Sequence, residues 1–226
     1  MGKTIKNGLA IIVAMECEAE SVLSSLGGAE EAEIGGRKVF FSSGGTSPRA
    51  VVVSGIGKTR AASATEFAIL ALGAKSVLNA GLCGGFGGNV EIGGVYEVDK
   101  AAEYDFDLSA FNGGRIAVKD GRQSPFVKLS TEGIFPAHSL ATGDRFTDAD
   151  DDHDFISNTL GCSLRDMEGA AVAFTCETAG VECRALKCVS DVADARSMTG
   201  QYLENKRKCL DSLSRAVAPF LDRIGL

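Results

Sequence analysis

The chain has no tryptophan and, among 226 residues, only two histidines and four prolines. Each scarcity removes a class of chemistry. Neither His138 nor His153 falls in a His-Glu-x-x-His spacing and no Cys-x-x-Cys occurs, so common zinc enzymes are not expected. Both histidines read as surface or loop residues. The Gly-x-Ser-x-Gly elbow of a serine hydrolase is missing too. Long hydrophobic runs are absent: the stretch from Leu9 to Met15 is too short to cross a bilayer. Glu16, Glu18 and Glu20 close that stretch without a small-residue cleavage site, so neither a span nor a signal peptide is expected. Lys and Arg form no cluster and the net charge is −7, which argues against a nucleic-acid partner. Seven cysteines, an odd number without pairing rhythm, suit a reducing compartment and hence the cytoplasm.

Glycine is abundant instead, at 28 residues, against a usual share of roughly 7%. The run VVVSGIGKTR (Val51 to Arg60) resembles the end of a phosphate-binding loop, but the motif's first glycine would fall at Val52, and the cradle lacks its φ > 0 corner. The acidic stretch DADDDHD (Asp148 to Asp154) fails as a calcium loop, with His153 where glycine is needed and Thr159 where a bidentate Glu is needed. It reads as a solvated loop entering a helix N-terminus.

Four near-continuous apolar runs, Leu9–Met15, Ala50–Ile56, Ser76–Ala80 and Cys183–Val189, predict strands buried on both faces. Helical spacing predicts helices over Gly57–Leu72, Gly169–Ala179 and Gln201–Arg223. Val39–Ser43, Val90–Val98 and Phe126–Ser130 read as antiparallel or mixed-sheet strands. The expectation is one α/β domain over residues 1–226, a three-layer sandwich with a mixed central sheet flanked by helices.

In open α/β sheets, ligands bind beyond the carboxyl ends of the strands. Here those ends carry MECEAE, SGIGK, GLCGG and SDVAD, and RDMEGAA precedes the Gly169 helix. Acidic and glycine-rich segments gathered at one sheet end suit acid/base chemistry on a polar, uncharged ligand such as a sugar. Residue types alone leave open the plainer reading of helix N-caps, Asp191 included.

Taken together, VAMECEAE, SGIGK, NAGLCGG, DMEGAA and SDVAD, in this order, resemble the purine nucleoside phosphorylase superfamily. Within it they are most similar to the 5′-methylthioadenosine/S-adenosylhomocysteine nucleosidases, and the likeness runs from Leu9 to the final helix. It implies the nucleoside phosphorylase-like fold and cleavage of a ribose–purine bond through an oxocarbenium-like transition state. Asp191 is then the acid that protonates the purine N7, and Glu18 the base that activates water on the opposite face. Glu168 holds the ribose hydroxyls, Met167 and Ile56 pack on the sugar, and Ser190 and Lys187 complete the substrate-binding set. Phe146 stacks on the purine, with the backbone at Thr147 reading its edge. DFDLSAF resembles a segment reaching into a neighbouring subunit's site, so that Leu108 and Phe111 wall the 5′ pocket of a homodimer partner; plain core packing of both stays open. No cofactor and no metal are implied, and the only other partner is the small nucleoside.

Three positions depart from the family pattern: Leu82 for a serine near the attacking water, Lys187 for an arginine, and Gly113 for an aromatic. A phosphorylase of the same fold is the nearest alternative, although the negative charge of Glu18 would repel phosphate. A nucleoside-binding protein without catalysis is the third reading.

Overall fold

Alternation along the innermost strand sets the layers. In the computed structural model, β1 (Leu9–Val13) is wholly buried. Ala10 and Ile12 pack into one hydrophobic layer, and Leu9, Ile11 and Val13 into another. The structure describes all residues except 1, 2, 43, 46, 88, 113–123, 147–149, 194–196 and 226. After β1 come α1 (Glu16–Ser24), β2 (Glu30–Ile34), β3 (Arg37–Ser42), β4 (Arg49–Val53), α2 (Lys58–Leu70), β5 (Ser76–Gly85) and β6 (Val95–Glu103). The chain continues through α3 (Ser109–Asn112), β7 (Val127–Lys128), β8 (Ala137–Thr142), α4 (Asp150–Asp154), β9 (Leu164–Asp166), α5 (Gly169–Ala179), β10 (Glu182–Val192) and α6 (Met198–Arg223).

Among the described residues, ten strands join one mixed sheet in the order β10-β6-β8-β9-β5-β1-β4-β3-β2, with β7 on β6. β10 also pairs in parallel with β5, so β5, β9, β8, β6 and β10 close a ring. Residues of α2 and α5 pack with Ala10, Ile12, Ala50 and Val52 on one face. Residues of α1 and α6 pack with Leu9, Ile11, Val13 and Val51 on the other. This is the expected three-layer arrangement. The far edge is a hairpin of β2 and β3 whose outer strand carries exposed glutamates, a charge pattern that discourages edge-to-edge pairing.

The four buried strands and three long helices fall where the apolar periodicity put them, with shifted ends. β1 stops at Val13 because Met15 becomes the N-cap of α1. β5 runs five residues past Ala80, through Gly85, so GLCGG is strand rather than turn. The strand expected over Val90–Val98 is displaced to Val95–Glu103, and the one over Phe126–Ser130 shrinks to two residues. The histidines are half-buried rather than on the surface: His138 stacks edge-on to Tyr96 and His153 to Phe86. In the acidic stretch Asp152 is buried, 3.4 Å from Arg145, so that segment is not simply solvated.

Among the described residues, no helix is long and apolar enough to cross a membrane. The seven cysteines are all free.

Candidate active site

The site forms where the carboxyl ends of β1, β5, β9 and β10 meet the start of α6. A cavity of about 450 Å³ there is lined by Glu18, Glu168, Asp191, Ser190 and Arg165, and by the apolar Met15, Ile56, Leu82, Phe146, Met167 and Leu203. An apolar shell around a few convergent polar groups is the usual composition of a small-molecule site.

Glu18 sits at the third position of α1 and reaches back to the helix start, as the glutamate of a capping box does. Its Oε2 accepts from the amides of Ala14 (2.9 Å) and Met15 (3.0 Å), and its Oε1 from the amide of Leu82 (2.9 Å). Burial pushes its carboxyl above the ordinary glutamate range, against the pull of the Leu82 amide and the Lys187 ammonium. Gly81 makes room for it, since a Cβ there would lie 2.7 Å from Glu18 Oε1. Leu82 thus contributes its backbone to the site even though its side chain cannot hold water.

A bulge positions Asp191. β10 runs in register with β5 up to Val189 opposite Cys83, skips Ser190, and sets Asp191 opposite Gly84. Asp191 is 1% exposed and accepts a 2.6 Å hydrogen bond from Ser190 Oγ. Gln201 of α6 clamps the next residue, donating to the Val192 carbonyl (2.9 Å) and accepting from its amide (3.1 Å). A Cβ on Gly84 would fall 2.9 Å from Asp191 Oδ2 and 3.1 Å from Met198 Cε. Gly84→Ala is therefore expected to lower kcat about a hundredfold by displacing that carboxyl, with a thermal melt confirming that the fold persists. An unchanged kcat would show that the close approach is unimportant.

Glu168 stands at the head of α5 and accepts from the amide of Gly57 (2.8 Å). Burial and the neighbouring Asp166 raise its carboxyl to about 7, against the opposing effects of Lys187 and the Gly57 amide. The next amide of α2, Lys58 N–H, goes to Asp144 Oδ1 (2.7 Å), and Lys58 Nζ goes to Asp105 Oδ1 (2.5 Å). The turn that resembled a phosphate loop has spent its leading amides and its lysine on the protein's own carboxylates.

Lys187 corrects the sequence reading. It is 1% exposed and does not line the cavity; its Nζ lies 2.8 Å from Asp166 Oδ2, below the site. Burial alone would depress its ammonium, but Asp166, Glu168 and Glu18 outweigh that and hold it above the ordinary lysine range. Asp166 is itself fixed by Thr142 Oγ1 (2.6 Å) and the Gly169 amide (2.8 Å). Lys187 is a counter-charge for the carboxylates, not a ligand contact.

Ile56, Met167 and Phe146 line the cavity as anticipated, and Phe146 meets Tyr202 edge-on at 5.6 Å. Thr147 lies outside the described residues. Phe111 is 86% exposed and away from the cavity, so core packing does not explain it. Arg165, Tyr202 and Leu203 were missed from sequence. The stripe of α6 drew attention to its core-facing leucines, and nothing marked Arg165 as part of a strand.

The family model that matches residues 9–224 is that of the phosphorylase superfamily. The chain belongs to this superfamily. An aminodeoxyfutalosine nucleosidase of Helicobacter pylori is 28% identical over 207 residues, covering 84% of this chain and 87% of the relative. A 5′-methylthioadenosine/S-adenosylhomocysteine nucleosidase of Oceanobacillus iheyensis is 28% identical over 217 residues, covering 88% and 93%. Among phosphorylase-superfamily structures, the H. pylori 5′-methylthioadenosine/S-adenosylhomocysteine nucleosidase in complex with a substituted pyrrolidinol superposes with a TM-score of 0.87 at 25% identity, covering 97% of this chain and 99% of that one. The futalosine hydrolase of H. pylori gives 0.85 at 25% identity, covering 97% of each chain.

Proposed function

We propose that this superfamily member is a purine nucleosidase, splitting the bond between ribose and base with water as the acceptor. One observation carries the choice of water over phosphate: the amides at the head of α2 are already bound by Glu168 and Asp144, and Glu18 adds a further carboxylate to the cavity. At the head of α2 an anion would meet negative charge where it needs donors.

In this reading Glu18 takes a proton from the attacking water as its oxygen bonds to the anomeric carbon. The bond to the base breaks as Asp191 delivers a proton to N7, so a neutral base departs. Glu168 accepts from the ribose hydroxyls, while Met167 and Ile56 cover the apolar sugar face and Phe146 the base. Ser190 orients Asp191, and Lys187 balances the carboxylates from beneath.

The names of the relatives make 5′-methylthioadenosine and S-adenosylhomocysteine the substrates to try first. The reading extends to a single domain over residues 1–226, a cytoplasmic role in purine salvage, and a homodimer in which the exposed Phe111 serves a neighbouring subunit's 5′ pocket. The test is release of free base from methylthioadenosine, adenosylhomocysteine, adenosine and inosine, each with and without phosphate. Release at the same rate in both conditions is expected. Release only with phosphate would make the protein a phosphorylase and overturn the role given to Glu18.

A further inference from the structure

We infer that Arg165 selects the base, and that the preferred base is a 6-oxopurine rather than a 6-aminopurine. The inference rests on the nucleosidase reading for what the cavity holds, but its evidence is separate.

Arg165 lines the cavity yet is only 4% exposed. Among the described residues its Nη1 is buried without a hydrogen-bond partner. Nη2 lies 3.7 Å from the sulfur of Met198, a weak acceptor, and the group stands 5.7 Å from the Phe86 ring. A buried cation set against a thioether and a ring face, with Nη1 unpartnered among the described residues, is under-compensated, and the cavity beside it is where an acceptor can be supplied.

The strand register says which part of a ligand supplies it. Gly84 is paired with Asp191 on one side and with Arg165 on the other. Laterally paired residues project to the same face of a sheet. Here the empty Cβ direction of Gly84 points at Asp191 Oδ2 and at Met198, the same methionine that Arg165 touches. Asp191 and Arg165 therefore stand on either side of Gly84, with backbones about 10 Å apart at two strand spacings; Met198 packs between their side chains, and all three strand residues line the cavity. A flat bicyclic base held in that cavity can meet both side chains.

With N7 of that base at Asp191, the substituent at position 6, on the same edge, faces the guanidinium. Guanidinium has five donors and no acceptor. With N7 given to Asp191, the guanidinium donates to O6 of an oxo-purine and opposes the amino group of adenine, the same donor–acceptor logic by which arginine tells guanine from adenine in nucleic acids. An oxo group also accepts the charge that builds on the base as it leaves, and Arg165 stabilises it.

The test uses the intact protein and titrates hypoxanthine and adenine calorimetrically, so it needs no turnover. The wild type is expected to bind hypoxanthine about ten- to a hundredfold more tightly. In Arg165→Met the two affinities should converge, through loss of hypoxanthine binding. Arg165→Lys keeps the charge without the planar fork and should restore only part of the gap. Equal or tighter binding of adenine by the wild type, undetectable binding of either base, or an equal loss of both in Arg165→Met would overturn the assignment. A hypoxanthine preference that vanishes in Arg165→Met, in a protein that releases base from none of the four nucleosides, would uphold Arg165 and sink the nucleosidase reading alone.

Discussion

Asp191→Asn is expected to lower kcat by about 10²- to 10⁴-fold, the usual contribution of a positioned proton donor, while leaving free-base affinity within a few-fold of the wild type. The asparagine amide fills the same space and keeps a hydrogen bond to the ligand, but it has no proton to give. The base must then leave as an anion. Four features bear on its placement: the bulge at Ser190, the 2.6 Å bond from its hydroxyl, the Gln201 clamp on Val192, and the bare Gly84 opposite. Steady-state release of base from the best substrate, alongside calorimetry with the free base, makes the check. A variant that turns over within tenfold of the wild type would remove Asp191 as the acid. A wild type that binds base tightly but releases none would favour the nucleoside-binding alternative.

Lys187→Met should carry the largest stability effect. The ammonium lies 2.8 Å from Asp166 and helps to balance Glu168 and Glu18 in a region closed to water. Removing one member of a buried pair costs about 3–5 kcal/mol, because the other charge stays buried. At about 2–4 °C per kcal/mol for a chain of this size, the melting temperature should fall by of order 10 °C.

The sign of the pH dependence distinguishes lost charge from lost packing. Glu168 already titrates at about 7, above its ordinary 4.5, so the folded state binds its proton more tightly than the unfolded chain does. A carboxyl raised in this way favours folding at low pH, and the benefit is lost as pH rises through 7. Without Lys187, which now holds them down, the carboxyls of Glu168 and Glu18 rise further. The deficit of the variant should therefore be small near pH 5 and grow toward pH 8. Melting curves across that range test it, and a deficit that does not change with pH would assign the loss to packing.

Much of this was legible in the sequence because burial on both faces leaves a plain mark. Runs rich in Val and Ile gave β1 and β4, a mixed apolar run of Ala, Leu, Cys and Val gave β10, and the spacing of Ala61, Ala64, Phe67 and Ala68 gave α2. Glu18, Glu168 and Asp191 were found because their motifs follow or border those strands, and the structure brings all three to one cavity. What escaped depends on contacts distant in sequence. β9 has three residues and exists through its register with β5 and β8, so Arg165 carried no local signal. Lys187 read as a ligand contact because it stands where the resembled family carries an arginine; in the structure it is buried and paired with Asp166. The glycines of GLCGG read as a turn because glycine is rare inside strands. Here Gly81 and Gly84 keep Cβ atoms away from two carboxylates.

The filled head of α2 has a consequence for direction. Phosphorolysis keeps the anomeric carbon activated as a sugar phosphate, so the glycosidic bond can be remade from the products. With the amides of Gly57 and Lys58 committed to Glu168 and Asp144, no such activated sugar forms in the proposed reaction. The products are an unactivated sugar and a neutral base, at a site surrounded by water in vast excess. A protein built this way acts as a valve: it withdraws its nucleoside and cannot refill the pool.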